Sequence, residues 1–236
     1  MEHKDYAKLK KLFIIGIIFA AVTMFGGEMP IGWTVYPEVD NEVSAMLIGC
    51  GNLTLIQLVC GVFFGGIGIP LQYYGYKAIG IIAENGGCKK CGKLIHIGAK
   101  AIAFLGGTVH IICVALMFVC RMEQTNSIHQ IPQSVVDFAI WLVLPISVFF
   151  MAVYIPMTIA MMIPVIKGKT IFPKWAFVFN PIFFKIFLNA LSFVAPNTEL
   201  MNAIRMSNMG LGSLVTFTGL LILLVRYYKK SSKIGR

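Results

Sequence analysis

The stretch Phe179 to Phe193, FNPIFFKIFLNALSF, decides how the chain is read. Its apolar density is that of the middle of a membrane-spanning helix, yet Lys185 stands inside it among phenylalanine, isoleucine and leucine. The same density runs through the rest of the sequence. Of the 236 residues 58% are hydrophobic and only 13% charged, and mean hydropathy is +0.81, outside the balance of a water-soluble domain. A hydrocarbon core about 30 Å thick needs about 20 apolar residues at about 1.5 Å rise each. Six stretches meet that length, near residues 12–31, 43–69, 94–120, 134–163, 174–196 and 204–227. Little chain is left over, so the expectation is an all-α polytopic membrane protein, with six transmembrane helices in one domain over residues 1–236.

Positive charge sets the orientation, because cytoplasmic loops retain lysine and arginine. All but three of the 20 basic residues fall on alternating connections: Lys4 to Lys11, Lys77 to Lys100, Lys167 to Lys174, and Arg226 to Arg236. The opposite connections hold Arg121 and Arg205 beside Glu38, Asp40, Glu42, Glu123 and Glu199. Both termini are therefore expected in the cytoplasm, at the cell membrane. The net charge of +10 reflects this rule and contact with anionic membrane lipid; nothing resembles a folded nucleic-acid-binding module. The first helix is too long for a signal peptide, and FGGEMPIGW (Phe25 to Trp33) offers no small-x-small cleavage site. LQYYGYKAIGIIAENGG, from Leu71 to Gly87, mixes aromatic, lysine and apolar residues as an interfacial helix would.

An ionisable group in hydrocarbon costs several kcal/mol and asks for a partner or a wet cavity. Lys185, His110 and Glu28 fall roughly 16 to 25 Å from the cytoplasmic ends of their spans, by helical rise. Spacing of three and four joins Lys185 to Asn189 and Ser192; His96, Lys100, Ala103, Gly107, His110, Met117 and Arg121 share a face of the third span. Arg205, Asn208, Gly212 and Gly219 share one on the sixth, and Gln57 leads into Gly61, Gly65 and Gly68 on the second. Gly16, Ala20, Thr23 and Gly27 form a small-residue seam on the first. Lys185, Glu28, His110, Asn189, Asn208 and Gln57 are thus the candidate ligand-binding residues. For Gln57, Asn52 and Asn208 the competing reading is a hydrogen bond between helices, and for Glu28 and Asp137 a wet interfacial position near a helix end. Pro145, Pro156 and Asn180-Pro181 are expected to kink their helices.

Four of the six cysteines lie in apolar spans, where a thiol behaves as a small hydrophobe. The other two form GGCKKCGK, residues 86–93. Cys88 and Cys91, with His96, make a weak metal or redox alternative, since a structural zinc site wants four ligands and the cytoplasm is reducing. No metal and no cofactor is expected. No phosphate-binding loop, nucleophile elbow or zinc-protease motif is present, which leaves enzyme activity undecided.

Several patches together, FGGEMPIGW, GVFFGGIGIPLQYYGYKAIG (61–80), GGTVHIICVAL (106–116) and NPIFF (180–184), resemble a family of uncharacterised bacterial six-helix membrane proteins, a domain of unknown function. In that family an acidic residue follows a glycine at the end of helix one. The resemblance implies the fold and weight on Glu28, His110 and Asn180, and names no reaction. Helix count, orientation and size also resemble the substrate-binding membrane components of vitamin uptake transporters. The leading expectation is a bundle that binds or transports a small or amphipathic, anionic molecule in a polar pocket of its outer half. The alternatives are an intramembrane lipid-modifying enzyme using Glu28 or His110 as acid or base, and a structural protein that pairs with itself or with another membrane protein.

Overall fold

In hydrocarbon, backbone N–H and C=O groups find no water, so a chain of this composition must satisfy them within helices or closed barrels. A computed structural model describes residues 3–39, 41–123, 131–191 and 194–234, and every regular element among them is helical. In chain order the helices are α1 (Lys4–Gly32), α2 (Glu42–Cys50), α3 (Leu55–Asn85), α4 (Lys89–Glu123), α5 (Gln133–Ile166), α6 (Pro181–Leu191), α7 (Glu199–Met206) and α8 (Asn208–Ser232). Five of these, α1, α3, α4, α5 and α8, are long and apolar enough to cross a membrane. Their outward faces carry large apolar side chains in the open, among them Phe104 at 80% exposure and Trp141 at 74%. A surface of that kind is compatible with a membrane protein and foreign to one bathed in water.

α1 lies against α3 and α8, α3 doubles back into α4 through a tight hairpin, and α5 covers α4. Tyr6 stacks on Tyr228 at 3.9 Å, so the start of α1 and the end of α8 share one end of the bundle, called here the near end. Apolar side chains gather in two clusters. The larger one, around Phe13, Tyr76, Ile95, Met157 and Phe217, fills the near half. The smaller one, around Ile31, Leu53, Leu58, Val114 and Cys120, fills the far half.

Between the clusters the helices touch through glycine. A Cβ on Gly16 would lie 2.7 Å from the Gly75 backbone, and one on Gly27 would lie 2.7 Å from Gly65 N. Ala20 and Thr23 are fully buried between these contacts, so the small-residue seam read on α1 is the surface on which α3 is seated. The long helices α1, α3, α4 and α5 each contain a π-helical segment, at Val22–Glu28, Gly61–Gly65, Ile102–Gly106 and Ala139–Val143. Such segments shift backbone groups out of the regular ladder and recur at functional sites. Pro145 follows the last of them and stands at the start of a regular α-helical stretch, where its missing N–H disturbs least.

Three expectations are corrected. The span expected over 43–69 is split: α2 stops at Cys50, and α3 opens with a capping box in which Thr54 Oγ1 accepts from Gln57 N and Gln57 Oε1 accepts from Thr54 N. The stretch read as an interfacial helix is the continuation of α3, with Tyr76, Ala78, Ile79, Ile82 and Ala83 buried in the near core. Its apolar residues are covered by α1 and α4 and do not lie along a surface. The stretch expected as one helical span over 174–196 is not one continuous helix: its described residues form a 3₁₀ turn, Lys174–Val178, followed by α6, whose 11 residues extend about 16 Å at helical rise. Asn180-Pro181 starts this helix and does not bend one. Asn180 Oδ1 accepts from Ile182 N at 3.1 Å, and Pro181 takes the first helical position, where no N–H is needed.

The glycine seam yields a stability prediction. Gly16→Val should force α1 and α3 apart and lower the melting temperature of the detergent-solubilised protein by an amount corresponding to about 1–3 kcal/mol. Ile18→Val, on the exposed side of the same helix, should leave it unchanged.

Candidate functional site

Glu28 closes the π-helical segment of α1 and is 4% exposed. A carboxylate so placed needs hydrogen-bond donors, and Gly210 N supplies one at 2.8 Å. Gly210 is the third residue of α8, in the first turn, where backbone N–H groups have no partner within their own helix. Its lack of a side chain is required, because a Cβ there would stand 2.7 Å from Glu28 Oε2 and 2.9 Å from Met24 N. Glu28 therefore acts on α8 as a capping side chain would, supplied from a different helix, and the positive end of the helix dipole favours it.

Lys185 approaches from α6. Its ammonium is half-buried and within electrostatic range of Glu28, yet the two are not within the 4.0 Å of an ion pair; among the described residues that contact is made by His96 and Glu84, at 3.5 Å. α6 packs along α8, with Gly212 against Pro181, and Phe179, just before α6, packs on Gly219. Asn180 fixes the start of α6, since its Nδ2 donates to Thr158 O of α5 at 2.8 Å. The Glu28–Lys185 pair is thus assembled from three chain segments, two of them helix N-terminal regions.

Two phenols sit within the electrostatic reach of Glu28. Tyr76 Oη is 2.8 Å from Ser213 Oγ, Tyr154 lies within its electrostatic reach, and both tyrosines are buried. Thr23 Oγ1 donates to Phe19 O at 2.8 Å and accepts from Gln72 Nε2 at 2.9 Å. Neither tyrosine nor Gln72 was among the sequence candidates. Tyr76 and Gln72 stand in the stretch read as interfacial, where a polar tip would ordinarily meet water, and Tyr154 stands in α5.

The remaining candidates occupy other places. A ring nitrogen of His110 lies 3.0 Å from Gly61 O in the π segment of α3, and the imidazole fills the space over Gly65, whose backbone meets Gly27 of α1. His110 thereby serves α3 and makes no contact with Glu28 or Lys185. Gln57 is spent on structure: beyond its capping box, its Nε2 donates to Pro30 O and Trp33 O at 3.0 and 3.1 Å, tying the start of α3 to the end of α1. Asn208 Nδ2 donates to Arg205 O at 3.0 Å, while its Oδ1 is buried without a hydrogen-bond partner among the described residues. Asn189 lies on the exposed side of α6; Ser192, the third residue of the expected stripe, falls outside the described residues. On α4, His96 and His110 face α3, whereas Lys100 is exposed. Asp137 accepts from Gln133 Nε2 at 2.8 Å on an exposed turn.

Among the described residues no three His, Cys, Asp or Glu side chains are grouped as metal ligands. His96 Nε2 faces Glu84 Oε2. Two clefts lie away from Glu28: an apolar groove of about 460 Å³ between α3 and α4, walled by Leu55, Val59, Phe63, Ile111 and Phe118, and a mixed cleft of about 450 Å³ at the near end, beside Asp5, Asn85 and Lys169.

No curated protein and no solved structure matches the chain. A family model does, over residues 1–227, the stretch that contains every residue of the Glu28 centre. The chain belongs to that family, DUF6796, a family of unknown function.

Proposed function

We propose that this is a multi-pass protein of the cell membrane which binds or carries a small or amphipathic molecule with an anionic group, at the Glu28–Lys185 centre. The observation that carries this reading is the state of Glu28: a buried carboxylate held by a backbone amide at the start of α8, with a lysine facing it out of contact. A side-chain carboxylate so held resembles an anion bound to a helix N-terminus. An incoming carboxylate or phosphate competes with Glu28 for the Gly210 amide and for Lys185, and Lys185 can close on whichever anion is present. Asn208 Oδ1, two residues before Gly210, is an acceptor for a hydroxyl or amine on the same molecule. Half-length helices whose N-termini lie at mid-depth serve anionic substrates in this way in other transport folds. The enzymatic alternative needs a second acid or base beside Glu28, and His110 is committed to Gly61 O.

The proposal includes six crossings with both termini in the cytoplasm. α5 ends at a loop whose Lys169 carbonyl abuts Gly86 at the near end, while α7 touches Gly32 at the far end. The chain from Lys174 to Leu191 therefore has to travel the length of the bundle. Seven residues of 3₁₀ and extended chain at about 2 Å each and α6 at about 1.5 Å each together match a hydrocarbon core of about 30 Å. The lysine-rich near end faces the cytoplasm.

Three outcomes are expected. With dodecyl maltoside as the neutral reference, laurate or dodecyl phosphate raises the melting temperature of the purified protein. Lys185→Met weakens that response at least tenfold in ligand concentration, about 1.4 kcal/mol, Lys185→Arg keeps it, and Glu28→Gln strengthens it; equal responses in Lys185→Met and the parent protein would sink the reading. Second, Glu28→Ala lowers the ligand-free melting temperature by the equivalent of about 1–3 kcal/mol by stranding the Gly210 amide, whereas Glu28→Gln, still an acceptor, costs less. Third, a fluorescent reporter that matures only in the cytoplasm should be bright when fused after Lys169 or Lys230, and alkaline phosphatase should be active when fused after Asn197.

A further inference from the structure

The hairpin between α3 and α4 is built with little slack. Gly87 takes a φ of +81°, Cys88 N donates to Ala83 O at 2.9 Å and Gly87 N to Glu84 O at 2.9 Å, the paired bonds of a Schellman ending. The next helix begins without a spacer, since Cys88 is itself the N-cap of α4 and its carbonyl accepts from Gly92 N at 2.9 Å. Cys88 is therefore pinned by backbone bonds to both helices. Cys91 follows one turn later, within electrostatic reach of the Cys88 thiol. Both are half-buried, reachable from water and not sunk in the core as Cys50 and Cys120 are.

A second turn of the same kind faces this one. Gly168, with a φ of +64°, ends α5 with Lys169 N donating to Pro164 O and Gly168 N to Val165 O. The Lys169 carbonyl packs on Gly86, and Lys167 lies within electrostatic reach of Cys91. Lys89, Lys90 and Lys93 surround the pair in sequence and are exposed. The other reading of two neighbouring thiols, half of a zinc site, lacks further ligands: the nearby His96 is paired with Glu84, and no group of three ligands occurs among the described residues.

We infer that Cys88 and Cys91 form a reversible intramolecular disulfide, a redox-modification site at the near end of the bundle, with a low-molecular-weight disulfide such as oxidised glutathione as the oxidant. One protein thiolate attacks a sulfur of the small disulfide; a protein–S–S–R bond forms, the S–S bond of the oxidant breaks, and RS⁻ leaves and takes up a proton. The second protein thiolate then attacks the protein sulfur of the mixed disulfide and expels the second RS⁻. The balance is two protein thiols oxidised to one disulfide and one RSSR reduced to two RSH. A thiol pair three apart inside a regular helix is held too far apart, with Cβ atoms about 5–6 Å from one another where a disulfide needs about 3.5–4.5 Å. Cys88 escapes this constraint because, as N-cap, it has the non-helical ψ of 61°. In a reducing compartment the dithiol is the resting form, and the disulfide is the transient one that sensing or catalytic pairs adopt.

The test is a redox titration of the full-length protein in nanodiscs. Samples equilibrated in mixtures of reduced and oxidised glutathione are acid-quenched, alkylated with a mass-tagged maleimide and digested. The expected result is loss of two alkylatable thiols together, at a single midpoint, with mass spectrometry placing the new bond between Cys88 and Cys91 and dithiothreitol restoring both. Cys88→Ser and Cys91→Ser should each abolish the paired loss, and Cys60→Ser should retain it. The inference is overturned if both thiols stay alkylatable in the most oxidising mixture, if a single glutathione adduct persists without resolving, or if the bond joins another pair of cysteines. The primary titration uses the unmodified protein, so poor folding of a serine variant would leave the answer intact.

Discussion

The hydrogen bond from Gly210 N to Glu28 is the contact on which the arrangement of the bundle turns. A carboxylate buried in an apolar protein is tolerated only with donors, and a backbone amide in the first turn of a helix is a donor without an acceptor. Each solves the other's problem, and the solution fixes how α8 begins relative to the end of α1. It also explains why the long last helix starts where it does, after the break at Ser207. α6 then packs beside the start of α8 and brings Lys185 within electrostatic range of the carboxylate. A charge and its countercharge inside the bundle are thus held by helix ends, where the peptide dipoles already favour an anion.

Glycine makes this geometry reachable. Contact at Gly16, Gly27, Gly65 and Gly75 brings α1 and α3 to backbone distance, a device suited to lipid, where apolar attraction between helices is weak. The π-helical segments lie in the same middle layer. One of them leaves the Gly61 carbonyl to be met by His110, and another ends on Glu28. Two of the four departures from regular helix thus coincide with polar contacts between helices.

What the amino-acid sequence disclosed follows from this division of labour. Small residues at spacings of three and four mark a seam, and α1 uses its seam as read. A charge in an apolar run is rare enough to demand a partner, so Lys185 and Glu28 were visible from composition alone. Their link through Gly210 was not, because a backbone amide leaves no mark in the side-chain pattern. Gln57 and Asn180 have the amide chemistry of ligand contacts and act as helix caps; spacing cannot separate the two roles until the helix boundaries are known. Those boundaries are hidden by length: Gly51 to Thr54 and Asn180-Pro181 carry cap and turn residues inside apolar stretches that are long enough to span. Tyr76 and Gln72 were misplaced for a related reason, since an amphipathic aromatic segment next to a lysine fits an interface as well as a buried face.

The two apolar clusters have a mechanical consequence. The near one is large and draws on α1, α3, α4, α5 and α8, so it resists opening as a unit. The far end holds a smaller cluster and is laced by side chains bonded to backbone: Gln57 to Pro30 and Trp33, Asn202 to Thr34, Asn197 to Tyr36, Arg121 to Leu53. Directional bonds of this sort release one at a time, and water can replace each of them. The far end is accordingly a hem that can be unpicked above a welded base.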